Sequence, residues 1–145
     1  MYKHILIATD GSELAQKAVN QGLELAKALG AKVSAVMVTE PWGAVTPGEM
    51  AIAYPVETYE RDAAEHAAKC LLAVDEVAKK LGITCTTKHV SDKYPAEGIL
   101  DYAKDANCDL IVMASHGRRG LSRLLMGSQA IDVLTHSSVP VLICR

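Results

Sequence analysis

The sequence contains no phenylalanine, and its aromatic residues are limited to five tyrosines and one tryptophan. Half of its residues are nevertheless hydrophobic, so alanine, valine, leucine and isoleucine must fill the core. No apolar stretch approaches the roughly 20 residues that a membrane-spanning helix requires. The 145 residues suit one domain, to which we assign residues 1–145, with a core of packed strands and helices.

The sequence also lacks a surplus of positive charge. Its formal net charge of −2 argues against a broad basic surface, so we expect binding neither to nucleic acid nor to membrane surfaces. The first four residues lead directly into a strand-like segment rather than a signal peptide. We therefore expect a cytoplasmic protein without a membrane span.

Paired cysteines of the CxxC type are absent as well. Cys70, Cys85, Cys108 and Cys144 are widely spaced and lie in apolar surroundings. This pattern favours buried, reduced thiols over a disulfide framework or a zinc site.

Strand-like and helical hydrophobic patterns alternate along the chain. Such alternation is typical of an α/β fold with a five-stranded, mostly parallel, doubly wound sheet and helices on both faces. The mixed polarity of the third strand predicts that it lies at an edge of the sheet. We predict strands at residues 3–9, 32–38, 83–90, 109–114 and 139–144, and helices at residues 12–29, 64–81, 95–106 and 128–136.

Residues 39–57 form a long connection that contains three prolines and two glycines. This density disfavours a continuous helix or a central strand. Long connections inside compact domains are often functional, so we expect a flap beside a binding site. Packing of Met50, Ile52 and Tyr54 over an exposed edge is the alternative.

Two connections lie where a parallel sheet binds ligands, beyond the carboxyl ends of its strands. Asp10 follows the first strand, and a loop with Gly117, Gly120 and Gly127 follows the fourth, with Ser128 opening a helix. Glycine permits close approach of a ligand, and the first amides of a helix attract anions. The pattern therefore favours a polyphosphate, although glycine loops and Gly-Ser helix starts also occur without a ligand.

The common nucleotide-binding motifs are missing. No Gly-Lys-Ser/Thr occurs, and no GxGxxG follows the first strand, which argues against P-loop and Rossmann-type binding. A phosphoreceiver domain would need several acidic residues after the first strand, where only Asp10 is present.

Three segments resemble the universal stress protein family: HILIATDGS, DLIVMASHGRRGLSRLLMGS and SSVPVLICR. The resemblance implies a homodimeric α/β domain with the adenine nucleotide α-hydrolase-like fold. Many members bind ATP through Gly-x-x-Gly, nine residues, and Gly-Ser or Gly-Thr. Gly117, Gly127 and Ser128 match this motif, with residues 118–126 between them.

The first motif position departs from the family pattern because it is Ala114 rather than glycine. If that position is left-handed, alanine costs about 1–2 kcal/mol there, whereas each charge-assisted hydrogen bond to phosphate contributes about 1.5–3 kcal/mol. We expect weaker nucleotide binding rather than its loss.

The resemblance also implies roles for individual residues. Asp10 lies beside the adenosine, Ala8 and Val38 face the adenine, and Gly117, Gly127 and Ser128 meet the phosphates. Capping of the first helix is the alternative role for Asp10. The other predicted cofactor-binding residues are Thr9, Met113, Ala114, His116, Arg118 and Gln129. No nucleophile with an orienting carboxylate can be assigned to His116, so we predict no catalytic residue.

Together these features predict an ATP-binding regulatory protein that takes its nucleotide with Mg²⁺. Nucleotide occupancy would alter the flap, the dimer or the surface for a downstream protein, with at most slow hydrolysis. The final strand, Val139 to Cys144, is expected to pair with its copy in a homodimer. A nucleotide-independent dimeric interaction module is the alternative, supported by Ala114, and the missing P-loop lysine disfavours a phosphoryl-transfer enzyme.

Overall fold

The computed structural model describes residues 1–117 and 125–145, which contain a five-stranded sheet. All strand pairs are parallel, in the order β3-β2-β1-β4-β5. The predicted α/β fold with a parallel sheet is confirmed, and β3 lies at an edge as expected. The strands are β1 (His4–Ala8), β2 (Lys32–Thr39), β3 (Cys85–Ser91), β4 (Leu110–Ala114) and β5 (Val141–Cys144).

Helices cover both faces of this sheet. One core cluster joins α1 and α4 to the sheet, and a second joins α5 and α6 to the opposite face. The doubly wound arrangement is therefore confirmed. The helices are α1 (Glu13–Leu29), α2 (Trp42–Val45), α3 (Met50–Ala53), α4 (Val56–Lys80), α5 (Pro95–Asp105) and α6 (Ser128–His136).

Two of the three interior strands of the sheet, β1 and β4, are buried along their whole length. The connection after β1 passes over one face of the sheet through α1, whereas the connection after β4 passes over the other through α6. Connections that diverge in this way open a crevice at the carboxyl ends of neighbouring strands.

Helix α4 is longer than predicted because it begins at Val56, directly after Pro55, rather than at residue 64. Its buried residues start only at Ala67, so the preceding turns carry no apolar stripe that would reveal them in the sequence. The long connection before α4 contains two single-turn helices, α2 and α3.

The four cysteines are free, as expected, although only Cys108 and Cys144 are buried and the other two are partly exposed. Burial raises the pKa of the Cys85 and Cys108 thiols to about 11, which keeps them protonated. Within residues 1–117 and 125–145, no three potential ligands come together as a metal site. No helix in the same ranges has both the length and the apolar character needed to cross a membrane.

Candidate functional site

A cavity of about 630 Å³ lies at the carboxyl ends of β1, β2 and β4. Every predicted site residue that the structure describes lines it, whereas Arg118 lies outside the described residues. The predicted residues in the lining are Ala8, Thr9, Asp10, Val38, Met113, Ala114, His116, Gly117, Gly127, Ser128 and Gln129.

The turn after β1 presents Asp10 to this cavity. The Asp10 Oδ1 atom accepts a hydrogen bond from the Ser12 amide at 3.0 Å. Gly11 has a φ of 81°, a left-handed conformation that suits glycine. Ser12, whose hydroxyl accepts from the Ala15 amide, is the N-cap of α1. Asp10 is therefore not the helix cap, and its carboxylate shapes the turn at the cavity wall.

The loop after β4 approaches the same carboxylate closely. A Cβ atom on Gly117 would lie 2.9 Å from Asp10 Oδ2, which is too near for a larger residue without movement. A larger residue at this position would therefore have to displace the Asp10 carboxylate, whereas the backbone of Gly117 has no left-handed φ that would itself favour glycine.

Gly127 closes the loop at the start of α6. Its amide donates to the Ser115 carbonyl at 2.8 Å, and a Cβ atom there would lie 3.2 Å from the same oxygen. Gly127 is the N-cap residue and provides no side-chain hydrogen bond to the helix. The first amides of α6, which cannot bond within the helix, therefore begin at the cavity wall beside Ser128.

Ala114 is not left-handed. It is the last residue of β4, and the positive φ values of non-glycine residues in the described chain belong to Asp92 and Asn107. The expected left-handed strain is therefore absent, because a strand residue accommodates a methyl group without cost. Ala114 does line the cavity, so crowding of a ligand by an alanine at this position remains the relevant effect.

Gln129 and His116 make protein contacts at the cavity wall. The Gln129 Oε1 atom accepts from the Ala96 amide at 2.9 Å and so links α6 to the start of α5. The His116 Nδ1 atom lies 3.0 Å from the Ser115 hydroxyl, which orients the imidazole at the cavity edge. Both side chains thus hold elements of the site in place.

The cavity has an apolar end between β2 and α5. The residues that line this end also belong to, or pack against, the second core cluster, which joins α5 and α6 to the sheet. These apolar lining residues are Ala8, Val36, Val38, Ile99 and Met113.

Sequence reasoning missed a wall formed by the connection after β2 and the first turns of α4. The Tyr54 hydroxyl donates to Asp62 Oδ2 at 2.9 Å, which raises the Tyr54 pKa, and the Tyr59 hydroxyl donates to the Glu40 carbonyl at 2.6 Å. Tyr59, Asp62 and His66 all line the cavity and follow helical spacing. That spacing was the available signal, but it has meaning only once the helix is known to begin at Val56.

A model of the family described as "Universal stress protein family" matches residues 1–145. The chain belongs to the universal stress protein family. Over 146 residues it is 32% identical to universal stress protein MJ0531 of Methanocaldococcus jannaschii, covering 100% of this chain and 83% of the relative. It is 31% identical to universal stress protein YxiE of Bacillus subtilis over 149 residues, covering 100% of both chains.

Solved structures show the same fold. Universal stress protein UspA from Lactobacillus plantarum matches with a TM-score of 0.86 and 26% identity, over 99% of this chain and 98% of that one. The fold is therefore adenine nucleotide α-hydrolase-like. A universal stress protein from Archaeoglobus fulgidus, solved in complex with dAMP, matches with a TM-score of 0.69 and 24% identity, over 99% of this chain and 98% of that one.

Proposed function

We propose that the protein is a cytoplasmic, ATP-binding regulator that acts as a switch in the stress response. Its nucleotide would lie between the Asp10 turn and the start of α6. The observation that carries this proposal is the convergence of the two connections on one cavity, where Gly117 approaches Asp10 and Gly127 precedes the first amides of α6.

The cavity fits such a ligand in size and in chemistry. Its volume of about 630 Å³ lies within the range of small-molecule sites. The apolar end between β2 and α5 suits a base, the Asp10 carboxylate suits ribose hydroxyls, and the amides of α6 suit phosphates. The complex of the Archaeoglobus relative with dAMP supports a nucleotide as the ligand class.

Mg²⁺ would enter with the phosphates of the nucleotide. The cavity wall carries the carboxylates of Asp10, Glu40 and Asp62, which repel a bare polyphosphate. A bound divalent cation reduces that repulsion, and a carboxylate can hold it directly or through water.

The switch would work through the wall formed by the connection and α4. Because Val45 and Tyr54 of this connection line the cavity, nucleotide occupancy changes their surroundings directly. The altered outer surface of the connection would then be available to a downstream protein.

Thermal unfolding with and without Mg-ATP tests the proposed binding. Ligand at 100 times its dissociation constant adds about 2.7 kcal/mol to the free energy of unfolding. Asp10→Asn should reduce the stabilisation by ATP while retaining the acceptor oxygen for the Ser12 amide. Glu13→Gln is the matched control, because it removes an acidic charge nearby on α1 from a residue that does not line the cavity.

The absence of stabilisation at millimolar Mg-ATP would refute the proposal. It would favour the nucleotide-independent dimeric module, for which the presence of Ala114 in the cavity wall is the supporting observation.

A further inference from the structure

Gly98 is a glycine inside helix α5, where glycine is a poor helix former. Its φ is not left-handed, so backbone conformation does not require glycine there. Lack of space disfavours any larger residue, because a Cβ atom at this position would lie 2.7 Å from Cγ2 and 2.8 Å from Cγ1 of Val38. The two residues are thus in direct contact across the boundary between α5 and β2.

Val38 cannot turn away from an added methyl group. Both of its methyl groups face Gly98, and two of its three staggered χ1 positions therefore point that way. Any rotation between staggered positions leaves at least one methyl group on that side. The Val38 backbone is also held in register, since Val38 pairs with Val90 of β3 and the pairing of β2 with β1 reaches Val36, two residues earlier.

Helix α5 is likewise held close to β2. Gln129 bonds the Ala96 amide at the start of the helix, and the Lys93 amide donates to the Thr39 carbonyl at the end of β2. Ile99, the next residue of α5, is buried in the core and lines the cavity. A shift of either Val38 or α5 therefore moves a wall of the apolar end of the cavity.

We propose that Gly98 is a positioning residue that sets the width of the apolar end of the cavity and thereby its fit to the planar base of a nucleotide. This inference rests on the proposed nucleotide binding. Gly98 does not line the cavity itself. It would affect the affinity for the nucleotide through Val38 and Ile99, which do line it. In a hydrophobic pocket, one methylene changes affinity by about 10-fold or more.

The test compares dissociation constants for Mg-ATP and for Mg-tripolyphosphate, which lacks the base, by calorimetry or by displacement of a fluorescent ATP analogue. Gly98→Ala should weaken ATP binding about 10-fold and leave tripolyphosphate binding unchanged. In the Val38→Ala background, which lacks the two methyl groups that the new Cβ meets, adding Gly98→Ala should not weaken ATP binding.

Gly22→Ala is a closely matched control. Gly22 is also a buried helical glycine, and its added Cβ would lie 2.6 and 2.9 Å from two carbons of Ile7. Because neither residue lines the cavity, this variant should lose stability and bind both ligands as the wild type does.

Several outcomes would overturn the inference. These are a folded Gly98→Ala variant with wild-type ATP affinity, an equal loss of tripolyphosphate binding, or a loss of ATP affinity when Gly98→Ala is added to Val38→Ala. If Gly98→Ala does not fold, ATP must bind more tightly to the double variant than to Val38→Ala alone. A wild-type protein that binds neither ligand would instead refute the proposed function on which the inference depends.

Discussion

His4 is a buried histidine at the end of the sheet opposite the cavity, with both ring nitrogens in hydrogen bonds. Because the Ala106 carbonyl can only accept, Nδ1 is the protonated nitrogen, and Nε2 accepts from the Ser34 hydroxyl at 2.8 Å. The Tyr102 hydroxyl in turn donates to Ser34 at 3.3 Å. This chain of bonds joins β1, β2 and α5 through a neutral imidazole.

Acidification should therefore destabilise the protein through His4. Burial and the charge of Lys32 lower its pKa, against smaller opposing effects of the Ala106 hydrogen bond and Asp109. The unfolded chain then binds the proton more readily, so the free energy of unfolding falls as pH drops below about 6.5 toward the lowered folded pKa. Urea denaturation at several pH values should show this loss.

His4→Gln should be less stable at neutral pH and show a shallower loss on acidification. Burial also lowers the pKa of His89, so His89 contributes to the loss of stability on acidification. This contribution is the same in the wild type and in His4→Gln and cancels when the two are compared. An identical pH dependence of the two proteins would contradict the assignment to His4.

The grouping of the predicted site residues at one cavity could be predicted because the strand ends and the glycine loop are visible in the sequence. The physical reasons for particular residues could not. Gly117 and Gly127 are closely approached by Asp10 and Ser115, which disfavours a larger residue at either position, and Ala114 bears no left-handed strain. Such reasons depend on contacts between distant parts of the chain, which no local pattern contains.

Among the elements, the connection after β2 and helix α4 differ most from expectation. The predicted connection of residues 39–57 was located correctly, but its short helices and the early start of α4 were not. The prolines of the connection gave no sign of its short helices, and the polar first turns of α4 gave no sign that this helix begins at Val56. The strands other than β3 were easier to predict because they are apolar and bounded by turns.

The connection is held to α4 by side-chain contacts that should control ligand exchange. Trp42 Nε1 donates to the Tyr54 carbonyl at 2.7 Å, and the Tyr54 ring packs edge-on against Tyr59 with centroids 5.8 Å apart. Tyr54→Phe should keep the ring contact but lose the hydrogen bond to Asp62. We expect several-fold faster nucleotide dissociation, since most affinity changes among variants lie in the dissociation rate.

Stopped-flow fluorescence can follow this exchange, because Trp42 is the one tryptophan of the chain and lies on the connection. Tyr2→Phe is the control, as Tyr2 packs against the first core cluster and does not line the cavity. Equal dissociation rates for Tyr54→Phe and the wild type would show that the Asp62 contact does not limit exchange.

The two edges of the sheet differ in a way that bears on assembly of the whole molecule. Strand β3 is polar, with Thr87 and Lys88 exposed, and charge on an edge strand discourages pairing with another chain. Strand β5 carries Leu142, which is 39% exposed, and α6 adds the exposed Ile131 and Leu134. An apolar edge of this kind favours contact with a second copy.

We therefore expect a homodimer through β5, whose two-fold symmetry brings the same edge of both copies together. Analytical ultracentrifugation at micromolar concentration should give a particle of twice the 15.5 kDa chain mass. Leu142→Arg should yield the monomer by placing a charge in the apolar contact, whereas Thr87→Arg, on the opposite edge, should leave the dimer intact. A monomeric wild type, or a dimer sensitive only to Thr87→Arg, would contradict pairing through β5.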